Sequence, residues 1–178
     1  MRNPEGGLLR DLKAHIREIP DFPKKGIIFR DITPLLLDAA AFRDAVEQIC
    51  LPFLNRVDVI VGIESRGFIV GAAVAYHLGT GLALVRKPGK LPAATFEARY
   101  DLEYGSDGLQ IHQDAFHHAS RVLIVDDLLA TGGTASATVQ LVRRTGGEVV
   151  GCAFVVELTA LAGRKRLGAI EMHSVVKY

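Results

Sequence analysis

An unbroken stretch from Val122 to Ala135 constrains the fold of this 178-residue chain more than any other part of it. The stretch begins with an apolar run, continues with the adjacent carboxylates Asp126 and Asp127, and then passes through small residues into helix-forming sequence. Consecutive β-branched and leucine residues are typical of a strand that is buried on both faces, as in a parallel sheet. We therefore expect a strand, a loop and a helix over 135–144, in an α/β protein whose central, mostly parallel sheet is flanked by helices.

The loop of this stretch has the residues of an anion-binding site. Gly132 and Gly133 allow the main chain to approach a phosphate closely, and the amides at a helix N-terminus are unpaired donors. Thr131 and Thr134 add hydroxyl donors. The two carboxylates before the loop repel an anion, so we expect them to face sugar hydroxyls or a divalent metal ion. The combination predicts a binding site for a sugar phosphate.

Two better-known phosphate loops do not fit this order of residues. A Walker loop ends in Gly-Lys-Ser or Gly-Lys-Thr, and no lysine follows the glycines here. A dinucleotide-binding loop has its acidic residue well after the glycines, whereas Asp126 and Asp127 come directly before them. The plain structural alternative is a strand-to-helix turn capped by Thr134, which an isolated Asp-Asp or Gly-Gly pair would favour.

The composition limits the class of protein. Hydrophobic residues make up 49% of the chain and aromatic residues only 7%, as is usual for a parallel α/β protein. The net charge of +1 and the lack of basic residues interleaved with aromatic ones give no reason to expect a nucleic-acid partner. We expect neither a membrane span nor secretion. For Cys50 and Cys152 the sequence allows a disulfide but favours buried free thiols, which fit a cytoplasmic protein.

Hydrophobic spacing and turn residues predict the other elements of one domain over residues 1–178. Apolar residues at helical spacing predict an N-terminal helix that runs through Ile19 and stops at Pro20. Further helices are predicted over 41–51 (capped by Asp38), 68–78 (ended by Gly79) and 160–167 (capped by Thr159), and further strands over 57–63, 82–85, 149–156 and 174–176.

Residues 95–104 and 109–112 alternate like an exposed, polar two-stranded ribbon around a turn at Gly105–Gly108. Such a ribbon is suited to act as a lid. His117 and His118 have no third ligand at a suitable spacing, so we assign them no metal.

Two further loops carry charge at the ends of predicted strands. Ser65 does not fit a nucleophile elbow, because the glycine two residues before the serine is missing. Arg66 follows a parallel strand, where ligands of α/β proteins usually bind, so it is either a phosphate contact or a solvated arginine. Arg86, Lys87 and Lys90 crowd a turn rich in proline and glycine, which is equally compatible with anion binding and with a solvated surface.

Five segments, in this order, resemble the type I phosphoribosyltransferases, and within them the adenine-specific members. The segments are Phe22–Pro34, Glu64–Phe68, Arg86–Pro92, Leu102–Gly105 and Val125–Thr134. The resemblance implies the type I phosphoribosyltransferase fold, with a small N-terminal hood at about 20–34 and a β-ribbon lid at about 94–113. It also implies an enzyme of purine salvage. Adenine and 5-phosphoribosyl 1-diphosphate (PRPP) would give AMP and diphosphate in a homodimer, with Mg²⁺ carried on the diphosphate.

The resemblance further implies a role for each matching residue. Glu103 would handle the proton on N7 of adenine, with Arg66 as the second catalytic residue. The PRPP-binding residues would be Asp126, Asp127, Ala130, Thr131, Gly132, Gly133 and Thr134. The diphosphate-binding residues would be Glu64, Ser65, Arg66, Arg86, Lys87 and Lys90. The adenine-binding residues would be Ile28, Phe29, Arg30 and Leu158.

The chain departs from the family pattern at two positions, and two rival functions share its PRPP loop. Lys25 stands where many relatives have proline, and Glu64 replaces an aspartate that some relatives carry. The loss of proline's fixed φ loosens the hood, so base affinity is the quantity affected.

One rival is a PRPP-sensing regulator, which needs a DNA-binding element for which the N-terminal segment is too short. The other is a xanthine or hypoxanthine transferase.

Overall fold

The computed structural model describes residues 11–102 and 105–178, with the backbone alone for residues 101, 102, 105 and 106. The strands of this part are β1 (Arg17–Pro20), β2 (Ile28–Asp31), β3 (Val59–Ile63), β4 (Gly81–Val85), β5 (Thr95–Leu102), β6 (Gly105–His112), β7 (Arg121–Leu129), β8 (Glu148–Glu157) and β9 (Met172–Lys177). The α-helices are α1 (Thr33–Leu37), α2 (Ala39–Cys50), α3 (Arg66–Leu78), α4 (Gly133–Arg144) and α5 (Arg164–Leu167). Short 3₁₀ turns cover Lys13–His15, Leu51–Phe53 and Thr159–Leu161.

Five parallel strands form the central sheet, in the order β4-β3-β7-β8-β9. Strand β7 lies in the middle, and its side chains alternate between the two faces, as the pleat of a strand requires. Leu123 and Val125 enter one hydrophobic core cluster, whereas Val122 and Ile124 enter the other. The prediction that this strand is buried on both faces is confirmed.

Helices cover both faces of the sheet, which confirms the predicted fold class. Helices α2 and α3 pack on one face, and α4 packs on the other together with strand β6. Helix α2 begins at Asp38, whose carboxylate accepts hydrogen bonds of 2.9 Å from the amides of Ala40 and Ala41. Helix α3 ends at Gly79, whose φ of 67° is in the left-handed region. Both helix ends were predicted.

The predicted N-terminal helix is wrong over its last residues. Arg17 to Pro20 form a strand that pairs antiparallel with β2, and the helical part is limited to the turn at Lys13–His15. The pairing sets Arg17 opposite Asp31, and the guanidinium donates two hydrogen bonds to that carboxylate. The apolar residues at helical spacing are explained by burial instead. Leu12 and Ile16 flank the turn, and both are buried in the core. Residues before 11 lie outside the described part.

The ribbon formed by β5 and β6 is longer than expected and is partly buried. Its pairing runs from Thr95 opposite His112 to Leu102 opposite Gly105, so the turn predicted at Gly105–Gly108 is wrong. The expectation of full exposure is also wrong. Leu109 and Ile111 are 2% and 0% exposed and belong to the core beside α4. The base of the ribbon is therefore held by hydrophobic contacts.

The segment after β8 also differs from its prediction. Thr159 does not cap a helix; its hydroxyl and its amide both donate to the carbonyl oxygen of Tyr178. The helix predicted over 160–167 is divided into a 3₁₀ turn and the short α5, because Ala162 is in the left-handed region with a φ of 52°.

Both cysteines are free and buried, as predicted. Within residues 11–102 and 105–178, no helix is long and apolar enough to cross a membrane.

Candidate active site

Two buried carboxylates lie at the centre of the candidate active site. Asp126 and Asp127 are 9% and 7% exposed, and β7 continues past them, so they lie within the strand rather than after it. The amide of Asp127 donates to Oδ1 of Asp126 at 2.9 Å. Burial, together with the neighbouring charge of Asp127, raises the pKa of Asp126 well above its ordinary value. A Cβ atom on Gly67 would lie 2.6 Å from Oδ1 of Asp126, so the first turn of α3 is in close contact with these carboxylates.

Arg66 joins the carboxylates to the N-terminal hairpin, which is formed by β1 and β2. Its Nε donates to Oδ2 of Asp127 in a part-buried ion pair. The guanidinium carbon lies 5.4 Å from the centroid of the Phe29 ring, within the range of a cation–π contact. Phe29 in turn meets the ring of Phe22 edge to face, with centroids 5.2 Å apart. Three residues predicted for catalysis, ribose binding and adenine binding are therefore neighbours.

The loop after β7 encloses a hollow of about 70 Å³. Its lining residues are Asp126, Leu128, Ala130, Thr131, Gly132, Gly133, Thr134 and Ala135, which include every residue predicted for the 5′-phosphate. Gly132 has a φ of 80°, and a Cβ atom there would lie 2.5 Å from the carbonyl oxygen of Gly163. Helix α4 begins at Gly133, so the positive end of its dipole faces the hollow.

The segment behind this loop was missed in the sequence. Gly163 packs so closely that a Cβ atom on it would collide with the carbonyl oxygen of Ala130. The segment is held by Arg164, whose guanidinium donates to both carboxylate oxygens of Glu157 at 2.6 and 2.8 Å. The hydrogen bonds from Arg164 lower the pKa of this buried glutamate. The residues next to Gly163 in the chain form no pattern that would indicate its contact with the phosphate loop.

The residues predicted for diphosphate are arranged around Glu64. Its carboxylate accepts from Nε and Nη2 of Arg86 at 3.2 and 3.3 Å, and from the amide of Lys87 at 3.0 Å. Nη1 of Arg86 also donates to the carbonyl oxygen of Lys90 at 3.1 Å. Although burial raises the pKa of Glu64, the hydrogen bonds from Lys87 and Arg86 bring it below its ordinary value. Glu64 therefore stays charged and holds the basic turn. Ser65 directly precedes α3 and forms no side-chain cap.

Two ribbon residues that sequence reasoning missed connect the charged loops. Asp107 accepts from Nζ of Lys87 at 2.8 Å and from the hydroxyl of Tyr100 at 3.3 Å. Tyr100 also reaches the phosphate loop, because a Cβ atom on Gly133 would lie 3.3 Å from the Tyr100 ring. The ribbon thus contacts both the phosphate loop and the basic turn. Polar alternation identified the ribbon but not these partners.

The remaining predicted residues lie on the hairpin and at the end of β8. Arg30 stacks over the ring of Tyr178 at 3.7 Å and forms an ion pair with Glu18. Ile28 is 48% exposed on the same strand. The amide of Leu158 donates to the carbonyl oxygen that ends β7, at 2.9 Å, so it adjoins the start of the phosphate loop. Glu103 lies outside the described residues.

Comparison with known proteins gives one consistent family. The sequence model of the Phosphoribosyl transferase domain family matches residues 35–177. An adenine phosphoribosyltransferase from Trichlorobacter lovleyi is 54% identical over 171 residues, which is 96% of this chain and 100% of the relative. This chain belongs to the adenine phosphoribosyltransferase family. The membership confirms the predicted family and the predicted class of enzyme, a glycosyltransferase that transfers a pentosyl group.

Solved structures of family members agree with this assignment. An adenine phosphoribosyltransferase from Rhodothermus marinus superposes with a TM-score of 0.90 at 53% identity, covering 94% of this chain and 96% of that one. The enzyme from Saccharomyces cerevisiae, in complex with an imino-altritol bisphosphate and adenine, gives 0.88 at 38% identity and covers 92% of this chain and 96% of that one. The likeness extends over nearly the whole of both chains.

Replacing both carboxylates, with Asp126→Asn and Asp127→Asn, should weaken PRPP binding far more than adenine binding. Hydrogen bonds to charged groups are worth about 1.5–3 kcal/mol, so we expect a loss of at least about tenfold for PRPP. Calorimetric titration of each ligand measures the two effects separately. Asp58→Asn is the control for loss of a paired carboxylate away from the site, because Asp58 forms an ion pair with Arg121 before β3. An equal loss of both ligands, or unchanged PRPP affinity, would count against this assignment.

Proposed function

We propose that the chain transfers the phosphoribosyl group of PRPP to N9 of adenine, giving AMP and diphosphate in purine salvage. The observation that carries the proposal is the small hollow at the start of α4 with two buried carboxylates beside it. The hollow suits a phosphate, and the carboxylates suit the hydroxyls of a pentose. A sugar phosphate presents both groups.

The proposed ligand contacts divide along the chain. The amides and hydroxyls of residues 130–134 hold the 5′-phosphate, and Asp126 with Asp127 accepts hydrogen bonds from the ribose. The close packing of Gly67 on Asp126 supports a fixed orientation of this carboxylate.

The basic turn is proposed to stabilise the departing diphosphate. Departure leaves cationic character on the ribose, so catalysis depends on a neutralised leaving group and a positioned base. Ser65 and Arg66 contribute from the start of α3, and Arg86, Lys87 and Lys90 contribute from the turn after β4. A charge pair about 4 Å apart is worth roughly 1 kcal/mol in bulk water but roughly 4 kcal/mol at an effective dielectric constant of 20. Exclusion of water by the ribbon would therefore strengthen these contacts.

Mg²⁺ is proposed to arrive on the diphosphate of PRPP. Within residues 11–102 and 105–178, no group of three or more His, Cys, Asp or Glu side chains is arranged to hold a metal ion. Mg²⁺ commonly binds through one or two carboxylates plus substrate phosphates and water, and Asp126 and Asp127 fit that donor set. The ion would neutralise charge on the diphosphate, while the chain orients the sugar and the base.

The base is proposed to bind against the N-terminal hairpin. Backbone groups of Ile28 and Arg30 would read its edge, with Phe29 on one face and Leu158 on the other. The cation–π contact between Arg66 and Phe29 supports a base site next to the ribose site. The side chain of Arg30 is itself held by Tyr178 and Glu18, so the part of the hairpin that carries the proposed backbone contacts is anchored.

Product formation with a panel of purines tests the function directly. In the presence of PRPP and Mg²⁺, adenine should release diphosphate, whereas hypoxanthine and xanthine should be poor substrates. A backbone acceptor aimed at the exocyclic amine would meet a carbonyl oxygen instead, and such unpaired buried groups give discrimination of about 10⁴ or more. Comparable turnover of hypoxanthine would replace the adenine assignment by the rival purine. No turnover with any purine would favour the PRPP-sensing regulator.

Glu103 is proposed to handle the proton on N7 of adenine. For N9 to attack with a free lone pair, the proton must lie elsewhere on the imidazole ring, and N7 is the available position. As the glycosidic bond forms, the ring becomes cationic and that proton becomes more acidic. Tyr100, which precedes Glu103 by three residues, contacts the phosphate loop, so the ribbon approaches the site where this chemistry occurs.

Glu103→Gln should keep the affinity for adenine and PRPP but lower the chemical step by about 10²–10⁴, the usual scale of general acid–base catalysis. A glutamine still accepts a hydrogen bond from N7 but does not take up the proton. Single-turnover kinetics are required, because slow product release would hide the loss in steady-state rates. An unchanged single-turnover rate would remove Glu103 from the mechanism.

The chain is proposed to form a homodimer through α3 and the edge strand β4. Ile69 and Tyr76 are two turns apart on α3, and they are 48% and 92% exposed. Leu82 and Leu84 are 38% and 37% exposed on the adjoining edge strand. Exposed apolar side chains on neighbouring elements are typical of an interface. This surface also adjoins the basic turn that follows β4.

Tyr76→Glu should convert the dimer into a monomer, because a charge would be buried without a partner. Sedimentation equilibrium at micromolar concentration measures the change. Leu161→Glu is the control, since Leu161 is another exposed apolar side chain, at 48%, but lies on the segment after β8. A monomeric wild type, or a dimeric Tyr76→Glu variant, would contradict the proposed interface.

The proposal includes the organisation of the chain as a single domain of residues 1–178, with a hood at about 20–34 and a lid at about 94–113. The contacts of Tyr100 and Asp107 with the phosphate loop and the basic turn support a lid role for the ribbon. We also propose a cytoplasmic location. Both cysteines are free, and burial raises the pKa of each thiol to about 12, as is expected of inert thiols in a reducing compartment.

A further inference from the structure

The proposed 5′-phosphate site has an unbalanced charge. Residues 130–134 carry no charged side chain, and the two acidic residues Asp126 and Asp127 stand directly before them. Arg66 is already engaged in the ion pair with Asp127. Amide donors and a helix dipole provide only partial charges. The dipole contributes about 0.3–1 kcal/mol at an exposed site. A doubly charged phosphate at this position therefore calls for a further cation.

Arg166 lies beside the phosphate loop, next to the first residue of α4. Its Nη1 is 3.6 Å from the position that a Cβ atom on Gly133 would occupy. The hydroxyl oxygen of Thr131, a predicted phosphate donor, lies 3.9 Å from the same point. The guanidinium and this hydroxyl are therefore on one side of the residue at which α4 begins.

The side chain of Arg166 is exposed, and its charge is not neutralised by an ion pair. Among the residues whose side chains the structure describes, 11–100 and 107–178, no carboxylate forms a salt bridge or a hydrogen bond with its guanidinium. The adjacent Arg164 differs in this respect, because it is bound to Glu157 and is half-buried. Arg166 is thus available for an anionic ligand.

The backbone of Arg166 is held at a fixed distance from the phosphate loop. Its amide donates to the carbonyl oxygen of Gly163 at 3.1 Å, and Gly163 is in direct contact with Ala130 and Gly132. The ion pair between Arg164 and Glu157 fixes the same turn to the end of β8. These contacts hold the backbone of Arg166 next to the phosphate loop, although the two are far apart in the chain.

We propose that Arg166 is a further ligand of the 5′-phosphate and provides the full positive charge that the loop lacks. The inference rests on the proposed function, since it assumes that the hollow holds the phosphate of PRPP and AMP. A guanidinium is suited to this task, because its planar set of donors matches two phosphate oxygens at once.

Calorimetric titration of Arg166→Gln tests the inference with four probes. AMP and ribose 5-phosphate should bind about 10- to 100-fold more weakly than to the wild type, because a charge-assisted hydrogen bond is lost. Adenine and diphosphate, which lack a 5′-phosphate, should bind as before. Arg166→Lys keeps the charge without the planar fork, so it should recover part of the affinity for AMP.

Lys165→Gln is the matched control, since it removes one exposed positive charge from the neighbouring position of the same short helix. It should leave AMP affinity unchanged. Equal AMP affinity in the wild type and Arg166→Gln, or an equal loss in Lys165→Gln, would overturn the inference while leaving the proposed function intact. A wild type that neither binds AMP nor forms it would overturn the proposed function itself.

Discussion

The ion pair between Arg66 and Asp127 is the interaction on which the rest of the site depends. Asp127 is buried at the centre of the sheet, where an uncompensated charge is strongly destabilising. Arg66 neutralises it from the first turn of α3, and this requires the close approach of Gly67 to Asp126. The same guanidinium contacts Phe29, so one side chain links the carboxylates, the helix and the N-terminal hairpin.

Strand order explains how separate charged loops become one site. Strands β4, β3, β7 and β8 are parallel neighbours, so the loops that follow them emerge at the same edge of the sheet. That edge carries the basic turn, the start of α3, the phosphate loop and Leu158 in spatial succession. The ribbon then bridges two of these loops through Tyr100 and Asp107. Basic and acidic side chains therefore lie close together at the edge of the sheet where the substrate is proposed to bind.

The features that sequence predicted well are local in the chain. The strand, loop and helix around Asp126 are encoded by consecutive residues, and the Asp38 cap is formed by hydrogen bonds to residues two and three positions away. The errors are long-range in origin. Residues 17–20 form a strand because β2 pairs with them, and Gly163 matters because the phosphate loop packs against it. Neither partner is visible in the local pattern, so tertiary contacts overrode or concealed the signal.

A crystal structure of the chain with AMP would test the central claim most directly. The account predicts the 5′-phosphate in the hollow formed by residues 130–134, the ribose hydroxyls facing Asp126 and Asp127, and the base against Phe29. A phosphate bound at the basic turn of Arg86 and Lys87, with the base away from the N-terminal hairpin, would contradict it.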